Sequence, residues 1–304
     1  MTRVLHILAR HGRMVLVIGL VLGILAPSLA QAMVPMIFPM IVLLLFLSTL
    51  RVDVGRAFPD RRALPGYLGI MVLLQIGLPV LMIALLWGIG AMGSILGVGA
   101  VLVLAAAPMT GSPGLTILAG GDPAPALRQL VLGTALLPLT VIAVFWLLPV
   151  FGSPLVVAEA AARLLAVIAL AGGAGMILRR WLRGLSGQTA VDGGITLAMA
   201  LVVIALMSAV GPALLSFDSD MWVTLAVACG LNFGTQIGAF FLLRRGAWGQ
   251  VAPALAIIAG NRNVALFLGA LPPETGTALL LYIGCYQVPM YLTPLIMGPP
   301  IRRV

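Results

Sequence analysis

The chain has 304 residues, of which 62% are hydrophobic and only 8% charged. Soluble domains carry about 25% charged residues, so the composition excludes a soluble enzyme or binding module and predicts an all-α polytopic protein housed in the lipid bilayer. The net charge of +9 comes from 17 basic residues, all arginine; they cluster between apolar runs, as in membrane loops rather than a nucleic-acid surface.

Residues 1–13 hold Arg3, Arg10 and Arg13 ahead of an apolar run from Met14 to Ala30. Its end, Ala30-Gln31-Ala32, has the form of a signal-peptidase site after a basic start. The run is longer than a usual signal core and reads better as a first span. Further spans follow at about 33–50, 66–88, 95–119, 126–149, 157–178, 193–215, 221–243, 251–272 and 276–298, each near the roughly 20 residues a crossing helix needs. Cys229 and Cys285 fall inside apolar runs and read as small buried hydrophobes without disulfide or metal spacing.

Loop charge orients the spans. Arg51, Arg56, Arg61 and Arg62 follow span 2, Arg128 follows span 4, Arg179, Arg180 and Arg183 follow span 6, Arg244 and Arg245 follow span 8, and Arg302 and Arg303 end the chain. With the N-terminal three, these lie on one side. Asp218, Asp220 and Glu274 lie on the other, so both termini are expected in the cytoplasm, with the spans in a bacterial inner membrane. Two arginines stand apart. Arg163 follows Glu159 by four residues, the spacing of a helical ion pair. Arg262 lies 12 residues beyond Gln250, about 18 Å of helix and near mid-bilayer. A lone charge there faces protein or water and marks function.

Ten spans divide into five and five, residues 1–150 and 151–304. An odd number per half inverts one half relative to the other, as in many secondary transporters. Gln75-Ile76-Gly77 in span 3 recurs as Gln236-Ile237-Gly238 in span 8. Span 4 is broken at Ala107–Gly114 by Pro108, Gly111, Pro113 and Gly114, and span 9 by Gly260-Asn261-Arg262-Asn263. Prolines and glycines at that density open a helix, and breaks at matching places in two halves point to a transporter's binding site. The half-helices after Gly114 and Asn263 are expected to aim their N-termini at mid-depth, favouring an anion.

On these residues the chain resembles the bile acid:sodium symporter family over nearly its whole length. Thr116-Ile117-Leu118-Ala119-Gly120-Gly121-Asp122 is similar to the segment that closes the family's span 4, and Gln75 with Pro79 four residues on to its span 3 glutamine. The resemblance implies a core of spans 3–5 and 8–10, a panel of spans 1, 2, 6 and 7, crossing breaks in spans 4 and 9, and substrate in the crevice between core and panel. The family's sodium sites use a Glu and a Gln in span 9. Their places are Ile258 and Arg262 here, and its Ser-Asn pair in span 4 is Pro113-Gly114. A fixed cation with no acidic ligand argues against sodium, which needs oxygen ligands and charge compensation; no other cofactor or metal is implied. Ala107 stands where arsenite-exporting relatives carry a Cys, and the core lacks the Asp pairs of proton exchangers.

The candidate substrate-binding residues are Arg262, Asn261, Asn263, Thr110, Ser112, Gln75, Asn232 and Gln236. Each has a structural alternative. Asn261 and Asn263 either line the site or cap a broken helix. Thr110 and Ser112 either meet substrate or satisfy freed carbonyls. Asn232, Thr235, Gln236 and Gln287 line the site or bond neighbouring helices. Trp146, Trp181 and Trp222 read as interfacial anchors, Gly172-Gly173 as a close helix contact, and His6 and His11 as inert. No carboxylate pair, core histidine or metal cluster supports an enzyme. The expected function is a secondary carrier moving a small organic anion by alternating access, with Arg262 either standing in for the ion or binding the anion. The alternative is a non-transporting sensor or scaffold with the carrier fold. Substrate and bilayer are the only partners the sequence implies.

Overall fold

A computed structural model describes residues 2–52, 54–182 and 188–301. Arg183, Arg302 and Arg303 lie outside the described residues, as do the side chains of Arg3, Arg13, Arg56, Arg180 and Trp181. Helices dominate, and the only β-type pairing among the described residues is one isolated bridge. Among the described residues, six helices are long and apolar enough to cross a membrane: Pro27–Arg51, Leu64–Gly88, Pro154–Arg179, Thr189–Leu215, Ser219–Leu243 and Leu280–Ile301. Two bent pairs, Val4–Arg10 with Met14–Leu25 and Pro123–Ala135 with Leu137–Trp146, bring the number to 8 if each makes one crossing. The other two apolar runs are the broken ones. Their helices, Ile95–Ala105 and Gly249–Gly260, are too short to cross alone.

Proline sets several boundaries that hydropathy left vague. Span 1 stops at Leu25 rather than Ala30, because Ala26 precedes Pro27 and leaves the helical region (φ −120°, ψ 68°). Pro27 then opens the next helix, where its missing N–H is harmless. Ala30-Gln31-Ala32 therefore lies inside the Pro27–Met33 helix, with Ala30 buried. Within span 3, Leu73–Gly77 forms a π-turn just ahead of Pro79, a proline that cannot donate to the preceding turn.

The chain divides into two compact units. The first comprises Met1–Val52 and Leu165–Trp222, the second Asp53–Leu164 and Val223–Val304. In the first, the Gln188–Leu215 helix is the centre against which Gly12–Leu25 and Ile37–Arg51 pack. Glycines allow the approach: a methyl at Gly23 would lie 2.7 Å from Met207 Cβ, and one at Gly211 2.9 Å from the Ile24 carbonyl. The close contact expected at Gly172-Gly173 falls instead at Gly175, where a methyl would meet Thr49 Cβ at 2.8 Å; Gly173 has open space. Arg51 pairs with Asp192 at 2.5 Å in this unit.

The second unit holds both broken spans. Ile257 and Ala256 pack with Ala119, Phe240, Met297 and Ile301. Ile258 faces another way, buried among Tyr67, Ala126, Leu132 and Leu255. Glu159 and Arg163 meet at 3.7 Å, largely exposed, so that pair adds little stability. Neither cysteine is in a disulfide. Trp146 and Trp222 are exposed.

Candidate functional site

The Ile95–Ala105 helix ends ahead of Pro108, which removes the donor for the next turn. The chain leaves the helix extended at Ala106, turns at Thr110-Gly111, and Ser112 starts the Ser112–Ala119 helix, two residues earlier than Gly114. In span 9 the Ala252–Gly260 helix stops at Asn261, which is extended. The segment after Asn263 is not a second α-helix but a short 3-10 turn, Val264–Gly269, with a weaker dipole than expected from an α-helical half. No side-chain cap marks its start.

The two breaks pair with each other. Pro108 and Arg262 form an antiparallel bridge. Met109 N–H donates to the Asn261 carbonyl and Asn263 N–H to the Ala107 carbonyl, both at 2.8 Å. Segments far apart in sequence thereby satisfy each other's freed backbone groups, as buried non-helical backbone must.

Arg262 is 1% exposed. Its Nη2 donates to the carbonyls of Leu74 at 2.8 Å and Leu104 at 2.7 Å. Both acceptors are carbonyls that prolines strand. The α-helical donor to Leu104 would be the amide of residue 108, a proline. Around Leu74, the π-turn sends the Leu78 amide to the Leu73 carbonyl. The next donor along would be residue 79, again a proline. One guanidinium thus replaces two missing amides. Leu104 also sits at the negative end of its helix, where a cation is favoured. Nε and Nη1 have no partner among the described residues.

Around this crossing lie two matched pairs. Gln75 is buried, donates to the Gly133 carbonyl at 3.0 Å and accepts from the Thr140 hydroxyl at 3.1 Å. Gln236 is buried and donates to Asn232 Oδ1 at 2.5 Å and to the Thr293 hydroxyl at 3.1 Å. In each case a glutamine of span 3 or 8 meets a threonine of span 5 or 10. Thr293 in turn donates to Asn261 Oδ1 or to its own helix at Pro289, 3.1 Å each. Asn261 donates its amide to the Ile257 carbonyl at 2.8 Å, closing the end of the half-helix. The Gly260 carbonyl at that end accepts from Asn232 Nδ2 at 2.6 Å and from the Tyr286 hydroxyl.

The predicted residues therefore sort by surroundings. Arg262, Asn261, Gln75, Asn232, Gln236 and Ser112 are all buried; Arg262, Asn261, Asn232 and Gln236 tie the crossing to its neighbours, Gln75 ties span 3 to span 5, and the Ser112 hydroxyl has no partner among the described residues. Thr110 and Asn263, within the two breaks, are half-exposed. Thr235 and Gln287 bond within their own helices, to Leu231 and Ile283. Thr140, Thr293 and Tyr286 are partners that sequence reading missed. Replacing Thr293 by the isosteric Val leaves Gln236 Nε2 and Asn261 Oδ1 short of a partner. We expect a loss of about 2 kcal/mol, against about 1 kcal/mol for Thr140→Val, read as the fall in thermal stability of the purified protein.

The chain matches no family model and no curated protein.

Proposed function

We propose that the protein is a secondary carrier for a small organic anion, a divergent member of the bile acid:sodium symporter family, working by alternating access. The observation that carries this reading is the antiparallel pairing of the two breaks with Arg262 buried at their crossing. The matched Gln75–Thr140 and Gln236–Thr293 pairs support two inverted five-span repeats, and the arginines between the apolar runs support both termini in the cytoplasm, with the spans in a bacterial inner membrane. The two compact units contain, respectively, spans 1, 2 and 7 with most of 6, and spans 3–5, 9 and 10 with most of 8, which supports the panel and core of that family.

The polarity of the crossing favours an anion. The two half-helix C-termini, negative by their dipoles, are already met by Arg262 at Leu104 and by Asn232, Tyr286 and Asn261 at Gly260 and Ile257. The positive N-terminus of Ser112–Ala119 is not closed by a side-chain cap. Thr110 and Asn263 are half-exposed polar groups of the two breaks and give a carboxylate its direct contacts, while Arg262 acts through its charge. The donors do not fit sodium. Ile258 is walled by apolar side chains, and the guanidinium holds the carbonyls a cation would seek.

The test is thermal melting of the detergent-purified protein with pyruvate, lactate, benzoate or cholate, and with their uncharged amides, in sodium and in potassium buffers. At a hundred times its Kd a ligand stabilises by about 2.7 kcal/mol. One of these anions should raise the melting point equally in both buffers and be taken up by proteoliposomes, and Thr110→Val and Asn263→Ala should each weaken its binding about tenfold. Stabilisation without uptake identifies a sensor or scaffold, and stabilisation by sodium alone overturns the role given to Arg262.

A further inference from the structure

Among the described residues Arg262 finds no counter-charge. Of the eight acidic residues, Asp60, Asp122, Glu159, Asp218, Asp220 and Glu274 are exposed, Asp192 is half-buried and paired with Arg51, and Asp53 lies outside the described residues. Among the described residues the guanidinium meets only uncharged carbonyls, and two of its nitrogens meet no acceptor. The C-terminus of the Ile95–Ala105 helix offers about half a negative charge. The rest of the cation is unbalanced among the described residues, in a buried site where an ion without a partner is strongly disfavoured.

Resting on the carrier reading, we propose that the empty protein is a cation at its centre and that a bound monoanion neutralises it. Switching access while empty then moves net charge through part of the membrane field. Switching while loaded moves none. The protein therefore runs fastest as a one-for-one exchanger of monoanions, and only its net, unpaired flux responds to voltage. A whole charge crossing the full field shifts the balance of two states by ~5- to 30-fold at resting potentials. A dianion would leave the loaded state negative and lose the voltage indifference.

The experiment needs no substrate at the outset. Purified full-length protein in voltage-clamped planar bilayers should give a transient, saturable charge movement on voltage steps, equal on and off, of at most about one elementary charge per protein. Arg262→Lys should retain it and Arg262→Gln abolish it. Saturating wild-type protein with whichever of pyruvate, lactate, benzoate or cholate raises its melting point most should suppress it. That last arm stands even if Arg262→Gln fails to fold. Charge movement that survives saturation overturns the proposal. Its absence from wild-type protein that still takes up the anion overturns the proposal and leaves the carrier reading intact. Absence of both charge movement and uptake overturns the carrier reading as well.

Discussion

Gly260→Ala is expected to destabilise the protein by at least about 3 kcal/mol and to leave little folded material. On helix propensity alone the change should help, by up to about 1 kcal/mol, because Gly260 is a helical residue. Packing decides the sign. A methyl there would collide with the Asn232 carbonyl oxygen and lie 2.5 Å from Gln236 Cγ and 3.0 Å from Gln236 Nε2. The Asn232 oxygen is backbone within the Ser219–Leu243 helix and cannot step aside as a flexible side chain would. Separating the helices would break the Asn232 and Tyr286 bonds to the Gly260 carbonyl. The control is Gly114→Ala in the other broken span. Gly114 is exposed with no atom within 4 Å of an added methyl, so melting should stay within about 1 kcal/mol of wild type. Equal losses at the two glycines would mean that the span 8–span 9 contact is not what holds the crossing.

The hydropathy of the sequence was enough to mark the broken spans, because two prolines and a lone arginine at mid-depth contradict an unbroken apolar helix. Gln75 and Gln236 were visible for a related reason, as amides inside apolar runs repeated with the same neighbours. What Arg262 touches was half legible: a proline at 108 orphans the carbonyl at 104 by the i−4 rule, whereas Pro79 orphans Leu74 only because a π-turn adds a residue to the ring. Thr140, Thr293 and Tyr286 carried a weaker signal. A threonine in an apolar run bonds its own helix as readily as a neighbour, and pairing across 65 or 57 residues leaves no local trace. The 3-10 turn after Asn263 was equally hidden, since Val264-Ala265-Leu266-Phe267-Leu268-Gly269 holds nothing that forbids an α-helix before its final glycine.

Arg262→Gln is expected to melt within about 1 kcal/mol of wild type while losing nearly all stabilisation by anions. Two large terms oppose each other. Glutamine is too short to reach both Leu74 and Leu104, and each buried carbonyl left unmet costs about 1–3 kcal/mol. Removing a buried charge with no ionic partner relieves a desolvation penalty of several kcal/mol. The two nearly cancel in the empty protein and do not cancel in the loaded one. There the lost charge is the one that balanced the ligand, so the roughly 2.7 kcal/mol gained at a hundred times Kd should fall towards zero. Arg262→Lys separates charge from geometry. It keeps the cation but not the planar fork, and should retain much of the anion effect while melting lower than Arg262→Gln, because the charge remains buried with poorer hydrogen bonds. If Arg262→Gln instead melts several kcal/mol lower and the folded fraction binds anions as wild type does, the guanidinium is a structural tie for two proline-stranded carbonyls, and the anion must be selected by the Ser112–Ala119 N-terminus with Thr110 and Asn263 alone.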